Sequence, residues 1–262
     1  RAPDAAGVIW SHPANASGVD WARGLESDSG ERERLEPAPT SLGLAPSDRP
    51  RTLPRRSPSS EEGGRMVRAE ALFRDKRGAK RGTLIHRWLE DLVWIEDFHL
   101  DEARALEIGA PLEANPETRR EALTALTRAL QAEPVRSALS REYCAAPANA
   151  ALEVQSEHTF SVLLPDDSGE EQLWSGSIDR LVVARRGDDV VWAEVLDYKS
   201  DILTEQDLPD RTAYYRPQLE IYGRVVAAQT GLAASEVRLG LVFLELGRVV
   251  EIAPPSESSS FG

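Results

Sequence analysis

The stretch VLDYKSD, residues 195–201, sets Asp197 and Lys199 two positions apart behind an apolar run. On a strand, positions i and i+2 share a face, so this carboxylate and ammonium stand side by side at the rim of a sheet. Alone, such a pair is a common and weak surface feature. A second acid changes its chemistry. Asp179 and Asp197 lie at equal spacing on either side of Asp188, which sits in the turn-like cluster RRGDD. In a hairpin without a bulge the two aspartates face each other across the ladder. Opposed carboxylates repel unless a cation lies between them, and a divalent metal on oxygen ligands meets that need. With a bulge, the register slips and Asp179 merely caps a turn. Asp201 and Glu194 offer further oxygens, Glu194 from the face opposite to Asp197.

A nitrogen donor is available in His86, within GTLIHRWLE. A histidine on an apolar helix is commonly a satisfied core residue. Here the helix follows a basic, glycine-containing loop, DKRGAKRG, whose helix end could face phosphate. His86 with two aspartates makes a mixed nitrogen and oxygen set suited to Mg²⁺ or Mn²⁺. His12 and His99 sit in polar contexts without a partner pattern. Glu157, beside His158, is either a further acid near such a metal or an ordinary exposed strand carboxylate.

The elements that must position these groups follow from periodicity. GTLIHRWLEDLVWIEDF places Leu84, Ile85, Trp88, Leu89, Leu92 and Val93 at helical spacing, and residues 117–131 form a second amphipathic helix. Three strands follow in LEVQSEHTFSVLL, LWSGSIDRLVVAR and DVVWAEVLDYKS. YYRPQLEIYGRVVAAQTG is helical, with Pro217 in its first turn or at a kink and Gly231 as its C-terminal cap. VRLGLVFLEL and RVVEIA close the chain as strands around Gly247. The order predicts an α/β fold, a mixed sheet flanked by helices.

Residues 1–64 are rich in proline, serine, glycine and charge and read as a linker or extended arm, with a short strand at Val8–Trp10. The folded domain is expected at 65–252, with 253–262 a loose tail. The start at Arg1, without a signal pattern, reads as that of a piece of a longer protein. No apolar run approaches the roughly 20 residues that span a bilayer, so no membrane partner is expected. One cysteine, Cys144, excludes an internal disulfide and any multi-cysteine zinc or iron–sulfur site built by this chain alone, and suits a cytoplasmic setting. No G-x-x-x-x-G-K-S/T loop is present, so the chain is not expected to hydrolyse ATP. The net charge of −13 among 262 residues argues against a generic nucleic-acid coat. The charge is uneven, however. Arg65, Arg68, Arg74, Lys76, Arg77, Lys80, Arg81 and Arg87 form a locally basic stretch that could meet phosphates, or simply a solvated face.

Taken in order, GTLIHRWLE, GSIDRLVV, VLDYKSD and QLEIY resemble the motifs of the PD-(D/E)xK nuclease superfamily. They are most similar to the RecB/AddA-type nuclease domain at the C-terminus of bacterial recombinational helicase–nucleases. The resemblance covers about Gly82 to Ile252 and implies a restriction-endonuclease-like core. It also implies metal ligation by His86, Asp179, Asp197 and the backbone carbonyl of Tyr198. Lys199 would be the catalytic lysine, and Gln218 with Tyr222 a helix pair beside the site. Four-cysteine relatives carry an iron–sulfur cluster, and a single cysteine places this chain in the cluster-free branch. Residues 1–64 then resemble the linker from a motor domain, with Arg1–Trp10 the end of that motor.

The implied activity is Mg²⁺- or Mn²⁺-dependent, exonucleolytic DNA hydrolysis in recombinational repair of double-strand breaks. The implied partners are a single strand fed from a duplex end, and a helicase motor in the same polypeptide or in a partner helicase–nuclease subunit. The rival reading is a catalytically silent DNA-binding or docking module of a helicase complex. Silent relatives lose the Asp or the Lys, and both are present here.

Overall fold

The computed structural model of the chain describes residues 55–62, 76–166 and 168–254. The expected strand at Val8–Trp10, the arm through residue 54, the cations Arg65, Arg68 and Arg74, and the tail from residue 255 lie outside them.

In chain order the elements are β1 (Arg55–Arg56), a 3-10 turn (Pro58–Glu61), α1 (Lys76–Leu89), α2 (Glu102–Gly109), α3 (Pro116–Gln131) and α4 (Glu133–Ala138). There follow β2 (Ala151–Pro165), β3 (Glu171–Arg186), β4 (Asp189–Lys199), α5 (Leu208–Thr230), β5 (Val237–Phe243) and β6 (Arg248–Ile252). They build the expected mixed sheet, in the order β1-β3-β4-β5-β6 with β2 on the other edge of β3. The β1/β3 and β4/β5 pairs are parallel and the rest antiparallel. α5 packs on one face with Phe160, Ile178, Val195, Leu239 and Phe243. α1, α3 and α4 cover the other through Leu84, Trp88, Leu126 and Val135 against Leu196, Tyr198 and Val242. Burial of two faces explains why β4 reads as a nearly unbroken apolar run until Asp197.

Several expectations shift. Residues 55–62, assigned to the arm, attach to the sheet edge: Arg55 and Arg56 pair with Leu173 and Trp174, and Pro58 is buried. Two residues are too short a strand to show any alternation in sequence. The basic loop before His86 is itself helical from Lys76, and the helix ends at Leu89 instead of running on through Val93. Beyond that end, fully buried Arg180 donates to the carbonyls of Leu92 (2.9 Å) and Val93 (2.6 Å) and holds the segment that follows the helix. Gly82, inside α1, lies so close to β4 that a Cβ there would meet Ser200 Oγ at 2.9 Å. Pro217 falls well inside α5 because that helix starts at Leu208, with Pro209 in its first turn.

Two irregularities set the site's register. The β3–β4 turn is Gly187–Asp188, pairing Arg186 with Asp189, so an unbroken ladder would place Asp179 opposite Leu196. A bulge leaves Val191 unpaired between Arg185↔Val190 and Ala184↔Trp192 and moves the register by one. The ladder then ends at Arg180↔Leu196, one step short of Asp179 opposite Asp197. The bulge expected to separate the two aspartates is what aligns them.

The second irregularity lies between β2 and β3. Ile178 and Leu181, three apart on β3, both enter the core under α5, although a period of two puts them on opposite faces. The pleat resets at Asp179–Arg180. Opposite, on β2, Glu157 adopts φ 48° between the pairs Ser156↔Arg180 and His158↔Ile178. A non-glycine residue in this left-handed region costs on the order of 1–3 kcal/mol.

Candidate active site

One edge of β3 is filled by β2 along nearly its whole length. The other edge holds β4 from Arg180 onward and β1 at Leu173–Trp174. Among the described residues, the stretch between them is where β4 leaves β3, and the polar groups gather there.

β4 delivers them by alternation. Leu196 and Tyr198 enter the core under α1, while Lys199 lies over the Tyr215 ring of α5, 4.0 Å from its centroid. Lys199 Nζ is 2.7 Å from Asp197 Oδ2, so the neighbours expected from i, i+2 spacing do meet. The ammonium also donates to Gln218 Oε1 at 2.7 Å. Gln218 Nε2 donates to the Tyr222 hydroxyl (3.1 Å), which donates to the Ser177 carbonyl (2.8 Å). This chain has one direction. Because the ammonium can only donate, Gln218 must turn its oxygen to Lys199 and its NH₂ to Tyr222. The i, i+4 pair on α5 therefore reaches the lysine and, across the gap, β3.

On the α1 side His86 Nδ1 is 3.4 Å from Asp179 Oδ1 and 3.7 Å from Glu157 Oε1. The His86 ring stands edge-on to Tyr198, with centroids 6.1 Å apart. Asp179 Oδ2 accepts the Tyr198 N–H at 2.7 Å, which ties β3 to β4 through a side chain where their ladder stops. Glu157 Oε2 accepts from Ser177 Oγ at 2.9 Å. One ligand atom from each of His86, Glu157 and Asp179 lies within 4.8 Å of the others. Asp197 stands outside that trio, next to Lys199. Asp201 accepts a hydrogen bond from the Tyr215 hydroxyl, and Glu194 is turned away toward Arg238 at 3.9 Å. His158 meets Gln229 of α5 at 3.1 Å.

The electrostatics report a shortage of positive charge. Burial alone would lower the His86 pKa. The Asp179 charge, hydrogen bonds to Asp179 and Glu157, and the Asp197 charge outweigh it and raise the pKa from 6.5 to about 10. Asp197 is fully buried, which pushes its carboxyl up; Lys199 draws it down and Asp179 pushes it up again. Burial works against the Lys199 charge too, but Asp197, Glu62 and Asp179 more than compensate, so the ammonium stays charged. The buried Asp197 Oδ2 has the Lys199 ammonium, 2.7 Å away, as its ion-pair partner, and Asp179 adds a second negative charge beside it.

Glu62 is a participant that periodicity could not show. It follows the 3-10 turn and brings Oε1 to 3.9 Å from Lys199 Nζ. Three cations of the basic stretch are engaged by acids: Lys80 with Glu113 (3.1 Å), Arg81 with Glu245, and Arg87 with Glu90 (2.6 Å). Arg81 also donates to the Ser200 carbonyl, which clamps α1 to the end of β4. No helix among the described residues is long and apolar enough to cross a membrane.

No curated protein matches the chain at a significant level. The family model of the PD-(D/E)XK nuclease superfamily matches residues 62–259, from the glutamate beside Lys199 to beyond the last strand. That match takes in every group just described and most of the chain, and with the curled mixed sheet it settles the family: the chain belongs to the PD-(D/E)XK nuclease superfamily.

Proposed function

We propose that the chain is a Mg²⁺- or Mn²⁺-dependent deoxyribonuclease that cuts DNA from an end. The observation that carries this reading is Lys199, held charged between Asp197 and Gln218 beside the His86–Asp179 pair. The donor set fits a hard divalent cation, being oxygen-rich with one imidazole, and one ligand atom from each of His86, Glu157 and Asp179 lies within 4.8 Å of the others. His86, Asp179, Asp197 and the Tyr198 carbonyl would hold the ion. When bound, it lowers the pKa of its water and stabilises charge on the phosphoryl and leaving oxygens.

The chain's own groups do the rest. Lys199 directs its N–H bonds at the attacking water and at the charge developing on the phosphate. Gln218 fixes the position of that ammonium, and Tyr222 fixes which end of the Gln218 amide faces it. Asp179 keeps β3 and β4 in register by binding the Tyr198 N–H. His86 supplies a nitrogen donor once it gives up its proton.

Likeness to the RecB/AddA-type domain supports a place beside a helicase motor, in the same polypeptide or a partner subunit. That motor would feed single strands from a duplex end during cytoplasmic double-strand-break repair. In this reading residues 65–252 are the nuclease domain, and the arm 1–64 lends 55–62 to its sheet edge. The acidic chain, with Lys80, Arg81 and Arg87 engaged by glutamates, favours delivery of the strand by a motor over tight binding by the domain itself.

Digestion of end-labelled linear single- and double-stranded DNA tests this. Cleavage should require Mg²⁺ or Mn²⁺ and stop in excess EDTA. Lys199→Ala should retain metal binding while cleavage falls on the order of 10² to 10⁴-fold, the usual cost of a lost catalytic group. Undiminished digestion in EDTA refutes metal dependence. Parental cleavage by Lys199→Ala refutes the role of the lysine, and a parent that binds DNA and Mn²⁺ without cutting is the silent docking module.

A further inference from the structure

A second polar cluster lies along the edge of β3 and has no part in the metal centre. Where β1 meets β3, a cavity of about 640 Å³ is lined by Arg55, Arg56, Ser57, Ser60, Glu61 and Ser175. Its lining carries two guanidiniums against one carboxylate. Glu61 stands 3.5 Å from Arg56 with both side chains partly exposed, a weak pair that another anion can displace. Arg55 pairs with no carboxylate among the described residues. Its Nε–H goes instead to Ser175 Oγ at 2.6 Å. That bond holds the guanidinium in place and leaves its two NH₂ groups, a fork that suits phosphate oxygens, for another acceptor. Ser175 is only 8% exposed while Arg55 is exposed, so a buried hydroxyl aims a surface cation.

The cluster is in line with the metal centre. Trp174 and Ile178 of β3 enter the core under α5, so Ser175, Ser177 and Asp179 share the opposite face. Ser175 holds Arg55, Ser177 holds Glu157, and Asp179 faces His86. At roughly 3.3 Å per strand residue, Ser175 and Asp179 are about 13 Å apart. The gap between β1 and the start of the β4 ladder lies between them. Successive phosphates of one strand advance about 3.4 Å along a duplex axis, and farther once the strand is extended, so about four nucleotides or fewer cover that distance.

We infer that Arg55, Arg56 and Ser175 form a binding site for an internal phosphate of the substrate strand, a few nucleotides from the phosphate at the metal centre. The inference rests on the nuclease reading for its ligand and adds the contact that sets how the strand lies. Arg55 takes the phosphate oxygens through its NH₂ groups. Ser175 is the positioning residue that aims Arg55, and Arg56 joins when the anion displaces Glu61. Contacts to phosphate fix register and orientation and read no sequence. One such site suits a domain in which Lys80, Arg81 and Arg87 are already engaged by glutamates.

The test is fluorescence anisotropy of single-stranded oligonucleotides across a salt series, on the whole chain carrying Lys199→Ala so that nothing is cut. Adding Arg55→Gln should weaken binding on the order of tenfold at low salt, equally for oligothymidine and mixed-sequence strands. The slope of log affinity against log salt should become shallower by about 0.7, the share of one phosphate contact on a single strand. Arg55→Lys keeps the charge and should restore the slope. Glu61→Gln frees Arg56 and should tighten binding roughly two- to five-fold. Parental affinity in Arg55→Gln, or weaker binding with the parental slope, overturns the inference, the latter identifying Arg55 as a structural tie to Ser175. If Arg55→Gln does not fold, parental affinity in Glu61→Gln overturns it instead. A chain that binds no single strand even at low salt overturns it too. Cleavage by the parent, assayed in parallel, separates the two readings. If the parent cuts and Arg55→Gln binds as before, only the phosphate site fails; if the slope falls and the parent does not cut, the nuclease reading fails and the phosphate site stands.

Discussion

Tyr222→Phe removes one oxygen and leaves the ring in its edge-on contact with Phe160, with centroids 6.1 Å apart. Gln218 Nε2 and the Ser177 carbonyl each lose a partner, and Gln218 is only 5% exposed. Two hydrogen bonds at about 1 kcal/mol each predict a stability loss of about 2 kcal/mol. The effect on rate is smaller, because Lys199 itself still prefers the Gln218 oxygen and only the second anchor of the amide is gone. A loss of about 1 kcal/mol in positioning corresponds to roughly five-fold slower cleavage. Gln218→Ala should cost more, since it removes the acceptor of a charge-assisted bond, about 1.5–3 kcal/mol or roughly ten- to hundred-fold. Neither residue touches the metal ligands, so Mn²⁺ affinity should match the parent in both. Single-turnover cleavage of end-labelled single-stranded DNA at saturating Mg²⁺ measures the rates, and urea unfolding the stabilities. Tyr222→Phe cutting at the parental rate, or Gln218→Ala no slower than Tyr222→Phe, would refute the directed relay from Ser177 to Lys199.

Proton linkage gives a further expectation. The His86 pKa is raised above 6.5 to about 10 in the folded metal-free protein, so its contribution to stability is complete below about pH 6.5 and lost as pH rises through about 10. Metal-free unfolding measured across that window should show the decline, and a flat profile would contradict it. Because a ligating His86 must be neutral, Mn²⁺ binding near pH 7.5 should release about one proton, read from calorimetry in buffers of different ionisation enthalpy. Arg180→Met, which keeps bulk but loses the bonds to the Leu92 and Val93 carbonyls, should destabilise the fold by about 2–3 kcal/mol in urea unfolding. An unchanged midpoint would refute a stabilising role for these two bonds.

Local chemistry was legible wherever it depends on spacing within one element. Asp197 and Lys199 meet because strand period is two, and Gln218 and Tyr222 because helix period is near four; both hold whatever surrounds them. The strands β2 to β6 and helix α3 were equally readable, since each buries a face and carries the pattern of that burial. Tertiary structure decided what depends on distant partners. The segment after α1 takes its place from Arg180, far along the chain, which binds the Leu92 and Val93 carbonyls. Asp179 comes opposite Asp197 only through the bulge at Val191, which no residue type there announces. Glu157 enters the site through a backbone angle that its own side chain disfavours and only the packed β2–β3 ribbon enforces. Residues 55–62, polar and too short for any period, gain their order from the edge of β3 and carry Glu62 to Lys199. Sequence patterns record free energy that an element gains by itself or by burying a face. The register, the bulge and the strained glutamate are stabilised by contacts between elements, so they exist only once the sheet has formed.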